Sequence, residues 1–205
     1  MNIQQLILTR NMITLEEYRG KTRPLGIVPV ETDERYGYYE TDQRVLTNFI
    51  NSLYNANLLN NEVKLIDVGC GLSTTLYNFY LQLKEDNRFK FELFGIEGDP
   101  IIAEKFEKEL LSFFQGNLSF SFNEAEKINY SKYNVVYLYS PMKYEGMCRL
   151  YDKIFSEIKP GTIVYDAYLY GKGLNDVIDS RIIKFGLTKI QLEFGGIKHE
   201  IHVKK

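Results

Sequence analysis

The segment from Val63 to Leu76 constrains the fold of this 205-residue chain more than any other. It opens with Val63-Lys64-Leu65-Ile66-Asp67-Val68, a mostly apolar run that is typical of a buried parallel strand. The run breaks at Gly69-Cys70-Gly71, and apolar residues then recur at helical spacing, with Ser73, Thr74 and Thr75 as candidate caps. The pattern predicts a strand, a glycine turn and a helix. Such a turn lets the backbone approach a ligand, and the helix amino end offers unpaired N–H groups.

Two kinds of nucleotide-type ligand use a turn of this shape, and the local residues separate them. A nicotinamide or flavin site needs G-x-G-x-x-G, whereas here the third glycine is absent and Ser73-Thr74 follows. Asp67 also precedes the first glycine by two residues, which suits a cationic or amino-bearing ligand better than a pyrophosphate. The turn resembles the first motif, (D/E)-x-G-x-G, of the class I, seven-stranded S-adenosylmethionine-dependent methyltransferases. A purely structural glycine turn in another α/β protein remains the alternative.

Composition narrows the class of protein. The length suits one α/β domain, and 44% hydrophobic and 25% charged residues are ordinary for a globular chain. A net charge of −2 provides no strong field for nucleic acid or an anionic membrane. Cys70 and Cys148 are the only cysteines, which argues against a disulfide scaffold or a zinc cluster. The amino end is too short and polar for a signal sequence, so we expect a cytoplasmic protein without membrane contact.

The rest of the chain alternates between strand and helix patterns. The predicted elements are a helix from Thr41 or Asp42 to about Asn60, strands Phe89–Glu97, Leu118–Phe122, Val135–Pro141 and Thr162–Ala167, helices from Pro100 and over Met147–Ile158 and Asn175–Phe185, and a hairpin of Ile190–Phe194 with His199–Val203. Together with the resemblance, this order implies a Rossmann-like, doubly wound sheet of seven strands. Six would be parallel and one antiparallel, closed by the carboxyl-terminal hairpin.

Acidic residues at two further strand ends match motifs of the same family. Glu97 lies about one β-α-β unit beyond the glycines, where a carboxylate can accept hydrogen bonds from both hydroxyls of a ribose. Asp99 fits a helix-capping role better. Glu124-Ala125 ends the third strand, where the family usually carries an acidic residue and an alanine beside the adenine. The resemblance therefore implies a site for S-adenosyl-L-methionine. Its cofactor-binding residues would be Tyr39, Thr41, Asp67, Gly69, Cys70, Gly71, Glu97, Gly98, Glu124, Ala125 and Tyr139.

The amino-terminal part is predicted to be separate from this arrangement. Residues 41–205 would form the methyltransferase domain, and residues 1–40 an extension that could act as a lid over the cleft. Many methyltransferases place such a loop over the cofactor. A packed surface turn is the equally weighted alternative.

The sequence says less about the molecule that would accept the methyl group. Tyr38-Tyr39-Glu40-Thr41, Tyr137-Leu138-Tyr139-Ser140-Pro141 and Lys159-Pro160-Gly161-Thr162 are similar to a branch that includes protein-lysine methyltransferases. Ser140-Pro141-Met142-Lys143 departs from the (D/N/S)-P-P-(Y/F/W) motif of enzymes that methylate bases or glutamine. Metal-dependent O-methyltransferases need carboxylates after the fourth and fifth strands, and only Asp166 fits, so no metal is expected.

These comparisons predict transfer to an amine, with protein lysine first and a small molecule second, and no nucleic-acid partner. Methyl transfer from a sulfonium mainly requires alignment of the acceptor, so no catalytic base is identified. Tyr139, Ser140 and Tyr168 are the candidates for lining the acceptor site. Two other classes stay open: a degenerate domain that serves as an interaction module, and a nucleotide-dependent oxidoreductase, which the missing glycine disfavours.

Overall fold

The structure is a computed structural model that describes residues 12–22, 46–139, 142–167, 174–194 and 196–205. Its strands are β1 (Glu62–Val68), β2 (Lys90–Glu97), β3 (Leu118–Phe122), β4 (Val135–Leu138), β5 (Ile163–Asp166), β6 (Leu187–Phe194) and β7 (Ile197–Lys204). Its α-helices are α1 (Leu15–Thr22), α2 (Phe49–Asn55), α3 (Thr74–Glu85), α4 (Pro100–Glu109), α5 (Tyr144–Glu157) and α6 (Leu174–Phe185). Short 3₁₀ turns cover Leu111–Phe114, Ala125–Lys127 and Tyr130–Lys132.

The seven described strands form one sheet in the order β3-β2-β1-β4-β5-β7-β6. Strands β1 to β5 pair in parallel, and β7 is antiparallel to both of its neighbours, β5 and β6. Six strands therefore run in one direction and β7 runs against them, with β6 and β7 forming the terminal hairpin. The predicted doubly wound architecture is confirmed.

Strand β1 shows why the sheet is covered on both faces. Val63 and Leu65 point into a core shared with α1 to α4, whereas Ile66 and Val68 point into a core shared with α5 and α6. Successive side chains of a strand point to opposite faces, so an apolar run without alternation needs helices on both sides.

Several predicted bounds differ from the structure, each for a local reason. Helix α2 is preceded by Asn48 in the left-handed conformation and ends at Asn55, short of the predicted Asn60. Its end is a Schellman motif, in which Asn57 has φ 56° and the Leu58 N–H bonds to the Leu53 carbonyl. The described β4 ends at Leu138, so Tyr139 already lies beyond the strand.

Helix α4 begins at the predicted capping residue. Asp99 caps it as expected, since its side chain accepts from the Ile101 and Ile102 N–H groups. Ile102 and Phe106 are buried, whereas 61% of the surface of Ile101, in the first turn, is exposed. The helix becomes a 3₁₀ turn after residue 109 rather than continuing as α-helix.

Helix α1 lies within residues 1–40, which the sequence predicted to be an extension and possible lid without assigning a helix at 15–22. It starts with a capping box: Thr14 Oγ1 accepts from the Glu17 N–H, and the Glu17 carboxylate accepts from the Thr14 N–H. Tyr18 is fully buried, stacks on Tyr77 at 4.1 Å between ring centroids, and donates to the Leu72 carbonyl at 2.9 Å. Helix α1 therefore supports the loop that carries the glycine turn. The proposed boundary at residue 40 falls among residues 23–45, outside the described residues.

Gly95 on β2 is required for the close packing of this loop. A Cβ built at Gly95 would lie 2.9 Å from Cys70 Sγ and 3.0 Å from Leu76 Cδ1. We expect Gly95→Ala to destabilise the fold by about 1–3 kcal/mol through overpacking. The matched control is Gly20→Ala in α1, where a Cβ would meet nothing within 4 Å and should be neutral or slightly stabilising. Urea unfolding of both variants measures the difference, and equal stabilities would contradict the packing role of Gly95.

His202 predicts a pH dependence of stability. It is 1% exposed, neither ring nitrogen has a hydrogen-bond partner among the described residues, and burial lowers its pKa from 6.5 to about 4. Glu200 and Asp179 favour the protonated ring and Lys189 opposes it, but burial is the largest effect. Because the unfolded chain binds this proton more readily, stability is full above about pH 6.5 and falls as the pH drops towards 4.

We expect a loss of about 2 kcal/mol at pH 5 from this histidine alone. In His202→Leu, urea unfolding between pH 7.5 and 5 should show a correspondingly smaller loss. His199→Leu is the contrast, since His199 Nδ1 bonds to the Tyr165 hydroxyl at 2.9 Å, and its loss should cost about 1 kcal/mol at pH 7.5. An unchanged pH slope in His202→Leu would refute the assignment.

No helix among the described residues is both long and apolar enough to span a bilayer.

Candidate functional site

The candidate site lies at the carboxyl ends of β1, β2 and β4. Strand β1 has β2 on one side and β4 on the other, and the helices that follow β1 and β4 pack on opposite faces of the sheet. This arrangement opens a crevice above the end of β1. In open α/β sheets, ligands bind in such a crevice, at the point where the strand order reverses.

The turn after β1 is held against β2 by backbone hydrogen bonds. The N–H groups of Gly69 and Cys70 both donate to the Ile96 carbonyl at 2.9 Å. Gly69 has φ 75° and Gly71 has φ 54°, a region of backbone conformation that side chains rarely adopt. Both glycines are therefore needed for the turn itself, whatever ligand lies above it.

Glu97 clamps this turn, an interaction that the sequence pattern does not predict. One carboxylate oxygen accepts from the Gly71 N–H at 2.9 Å, and the other accepts from the Asp99 N–H at 2.7 Å. The N–H of Gly98 also approaches the carboxylate. Each carboxylate oxygen can accept more than one hydrogen bond, so these interactions leave room for a ribose hydroxyl. The ribose contact remains a prediction.

The carboxyl groups of Asp67, which is buried, and Glu97, which is partly buried, lie at the ends of β1 and β2 and influence each other electrostatically. Burial raises the pKa of Asp67 well above its usual value, and the charge of Glu97 raises it further. Burial also raises the pKa of Glu97, while the N–H donors of Asp99, Gly71 and Gly98 oppose the shift. Asp67 is 3% exposed and accepts no hydrogen bond within the described part of the chain. A positively charged ligand would stabilise both groups in their ionised forms.

The first turn of α3 adds polar groups beside the glycines. Ser73, one of the predicted candidates, occupies the N-cap position with φ 59°, but its hydroxyl makes no capping hydrogen bond. The Thr74 hydroxyl is also buried, with no hydrogen-bond partner in the part of the chain that the structure describes, and Ser73 Oγ has only a loose contact with the Cys70 thiol. Burial raises the pKa of that thiol well above its usual value, with Asp67 and Glu97 adding to the effect. Cys70 is therefore a neutral packing residue rather than a nucleophile.

The remaining predicted cofactor residues differ in how they are placed. Ala125 is buried, and its carbonyl accepts from the Tyr130 hydroxyl at 2.9 Å. Glu124 is about half exposed and pairs with Lys127. Tyr139 is half-buried against the core beyond the end of β4. Tyr39, Thr41, Ser140 and Tyr168 lie outside the described residues. The roles of all of these residues in binding stay predictions.

Asp166 is engaged in a buried contact rather than presented as a metal ligand. It is 2% exposed and accepts a hydrogen bond from the Tyr151 hydroxyl of α5. Burial raises the pKa of Tyr151 well above its usual value, and the charge of Asp166 adds to this. Among the residues that the structure describes, no group of three or more His, Cys, Asp or Glu side chains could hold a metal ion.

The fold resembles that of several solved methyltransferases. A presumed class I S-adenosylmethionine-dependent methyltransferase from Listeria monocytogenes is 16% identical, with a TM-score of 0.63, over 94% of this chain and 70% of that one. A presumed RNA methyltransferase from Pyrococcus horikoshii is 15% identical, with a TM-score of 0.57, over 94% and 95%. Precorrin-6y C5,15-methyltransferase from Geobacter metallireducens is 12% identical, with a TM-score of 0.58, over 86% and 95%.

The structural similarity shows the fold, and the low sequence identities support nothing finer. No protein-family model matches the sequence, and no curated protein matches it either. The chain therefore has the fold of the class I S-adenosylmethionine-dependent methyltransferases.

The residues present fit the methionine-derived cofactor of that class. Asp67 supplies a buried carboxyl group without a described partner, and the turn at Gly69 and Gly71 has the conformation that allows close backbone approach. The Thr74 hydroxyl at the amino end of α3, which has no partner among the described residues, adds hydrogen-bonding capacity. A pyrophosphate would meet two acidic groups at the same place, which disfavours a dinucleotide.

Proposed function

We propose that this protein is an S-adenosylmethionine-dependent methyltransferase whose cofactor lies above β1, β2 and β4. The observation that carries the proposal is the coupled arrangement of Asp67, the glycine turn and Glu97. Glu97 holds the Gly71 N–H, while Asp67 is buried beside it without a described partner. This arrangement matches a ligand that combines positive charge with a ribose.

Each part of the crevice has a distinct task in this proposal. When bound, the cofactor supplies a methyl group that is already activated on a sulfonium. Asp67 and Glu97 provide negative charge in a buried environment, where electrostatic attraction is strong. Gly69 and Gly71 permit close approach, and Glu124-Ala125 borders the adenine. Tyr39 and Thr41, from outside the described residues, would cover the ligand and exclude water, and the part of the 1–40 extension next to them would act as the lid.

For the acceptor we propose an amine, with a protein lysine as the first choice. A tyrosine-rich border supports this choice, because aromatic rings pack around an alkyl stem and attract its cationic head. Tyr139 follows the end of β4 and is half-buried, and Tyr144 begins α5 with 49% of its surface exposed. The proposed border has three further tyrosines, Tyr38, Tyr39 and Tyr168, which fall outside the described residues.

Two other acceptor classes follow from the similar structures rather than from the site. One of those proteins is described as an RNA methyltransferase and another acts on precorrin, so the fold supports RNA or a small molecule as readily as a lysine. Incubation of the protein with cell lysate and with cofactor labelled in the methyl group distinguishes protein, RNA and small-molecule acceptors. Label that protease removes supports the protein acceptor, label that ribonuclease removes supports RNA, and label in the low-mass fraction supports a metabolite.

The transfer should not require a divalent metal, because the sulfonium already activates the methyl group. The same labelling reaction with a chelator checks this expectation, and complete loss of transfer would contradict it. We further expect the protein to act in the cytoplasm.

A thermal-shift experiment distinguishes a methyltransferase from the two other classes of protein, an interaction module and a nucleotide-dependent oxidoreductase. A ligand that binds only the native state raises the melting temperature. We expect S-adenosylmethionine and S-adenosylhomocysteine to do so and NAD to have no effect. Stabilisation by NAD alone would indicate the oxidoreductase. Stabilisation by the methionine-derived pair without any transfer in lysate would indicate the interaction module.

A further inference from the structure

A second cleft lies at the opposite edge of the sheet, where β1, β4 and β5 begin. Its open volume is about 750 Å³. Seven residues of β1 separate this edge from the glycine turn, a distance of roughly 20 Å at the usual rise per residue. The cleft is therefore distinct from the proposed cofactor site. Its wall and floor come from the loops at 54–64, 131–134 and 159–162.

The floor of this cleft is fixed by side-chain hydrogen bonds. Asn134 bridges to β1, since its oxygen accepts from the Lys64 N–H at 2.8 Å and its amide donates to the Glu62 carbonyl. Asn60 accepts from the Glu62 N–H at 2.9 Å, and the Thr162 hydroxyl donates to the Tyr133 carbonyl at 3.3 Å. The three loops are thus tied to one another and to the sheet. A ligand would meet a preformed surface.

The charge of the lining is positive. Glu62 is the one acidic side chain among the lining residues, and it pairs with Lys64, which also approaches Glu92. Lys132 and Lys159 line opposite loops, and neither forms an ion pair within the described part of the chain. Two lysine charges are therefore not neutralised at this cleft, although the whole chain has a net charge of −2.

We propose that this cleft binds a phosphate-bearing anion. Lys132 and Lys159 supply the charge, and Asn57, Asn60 and Tyr133 add neutral polar side chains to the lining. Lysine ammonium groups are common phosphate ligands, and phosphate oxygens accept several hydrogen bonds at once. The ligand would act at a distance from methyl transfer, as an effector or as an anchoring group, and the proposal does not depend on the proposed activity.

Pyrophosphate is the probe of choice, because it carries the phosphate chemistry without a base or sugar. Titration of the full chain, followed by calorimetry and by backbone amide shifts, should give saturable binding with shifts concentrated in residues 57–64, 131–134 and 159–162. The double variant Lys132→Gln/Lys159→Gln should weaken binding by about 100-fold, which is about tenfold for each lysine charge removed. Raising the salt concentration should weaken the wild type strongly and the variant little.

The matched control is Lys21→Gln/Lys198→Gln, which removes the same charge from exposed positions outside the cleft. It should bind pyrophosphate as the wild type does. The proposal is overturned if the wild type does not bind, if both double variants lose affinity equally, or if the shifts map to the glycine turn instead. Binding of S-adenosylmethionine should be the same in all of these proteins, so failure here leaves the proposed function untouched.

Discussion

Gly71→Val should abolish measurable binding of S-adenosylmethionine while leaving most of the fold intact. Gly71 has φ 54°, a conformation that a β-branched residue adopts only under strain. Its N–H also donates to the Glu97 carboxylate at 2.9 Å. Any shift of the turn therefore also displaces Glu97, the residue proposed to bind the ribose. We expect affinity to fall by at least about 100-fold in a calorimetric titration.

Gly116→Val separates this effect from backbone strain in general. Gly116 has φ 78°, and a Cβ built there would meet nothing within 4 Å. The variant should lose stability in a similar way, since valine is strained at either position, yet it should bind the cofactor normally. If Gly71→Val binds as tightly as Gly116→Val, the cofactor does not lie on this turn.

Glu97→Ala should weaken cofactor binding by about 10- to 150-fold. Removing a charge-assisted interaction with two ribose hydroxyls is expected to cost about 1.5–3 kcal/mol. The turn also loses its acceptor for the Gly71 N–H, and the start of α4 loses its acceptor for the Asp99 N–H. Titration of the purified variant gives the dissociation constant, and circular dichroism establishes that it remains folded.

Glu92→Ala is the appropriate control for this variant, because Glu92 lies on the same strand but is exposed and pairs with Lys64. Exposed ion pairs of this kind contribute little, so both stability and affinity should stay close to the wild type. A folded Glu97→Ala protein with the dissociation constant of Glu92→Ala would rule out the ribose assignment.

The parts of the fold that follow from local patterns were predictable. The apolar run of β1, the break at Gly69-Cys70-Gly71 and the Asp99-Pro100 start of α4 each contain a signal within a few residues. Their order along the chain then implied the sheet. Helix α1 has a comparable signal, because Thr14-Leu15-Glu16-Glu17 matches a capping box, but the helix is short and the pattern alone did not predict it.

The geometry of the site depends on contacts between distant segments, and these were not predictable. Glu97 reaches Gly71 only because β2 pairs with β1 in the register that sets Val68 opposite Ile96. The same pairing sets Gly95 opposite Asp67, where a side chain would collide with Cys70. The burial of Asp67 is likewise a property of the assembled sheet. A sequence motif identifies these residue types without giving their separations.

Isothermal titration of the intact chain with S-adenosylmethionine tests the proposed cofactor site most directly. We expect saturable binding of one molecule per chain, comparable binding of S-adenosylhomocysteine, and no heat from NAD under the same conditions. Glu97→Ala should weaken the interaction and Glu92→Ala should not. Absence of binding by the folded wild-type protein, or binding of NAD in its place, would contradict the assignment of this crevice.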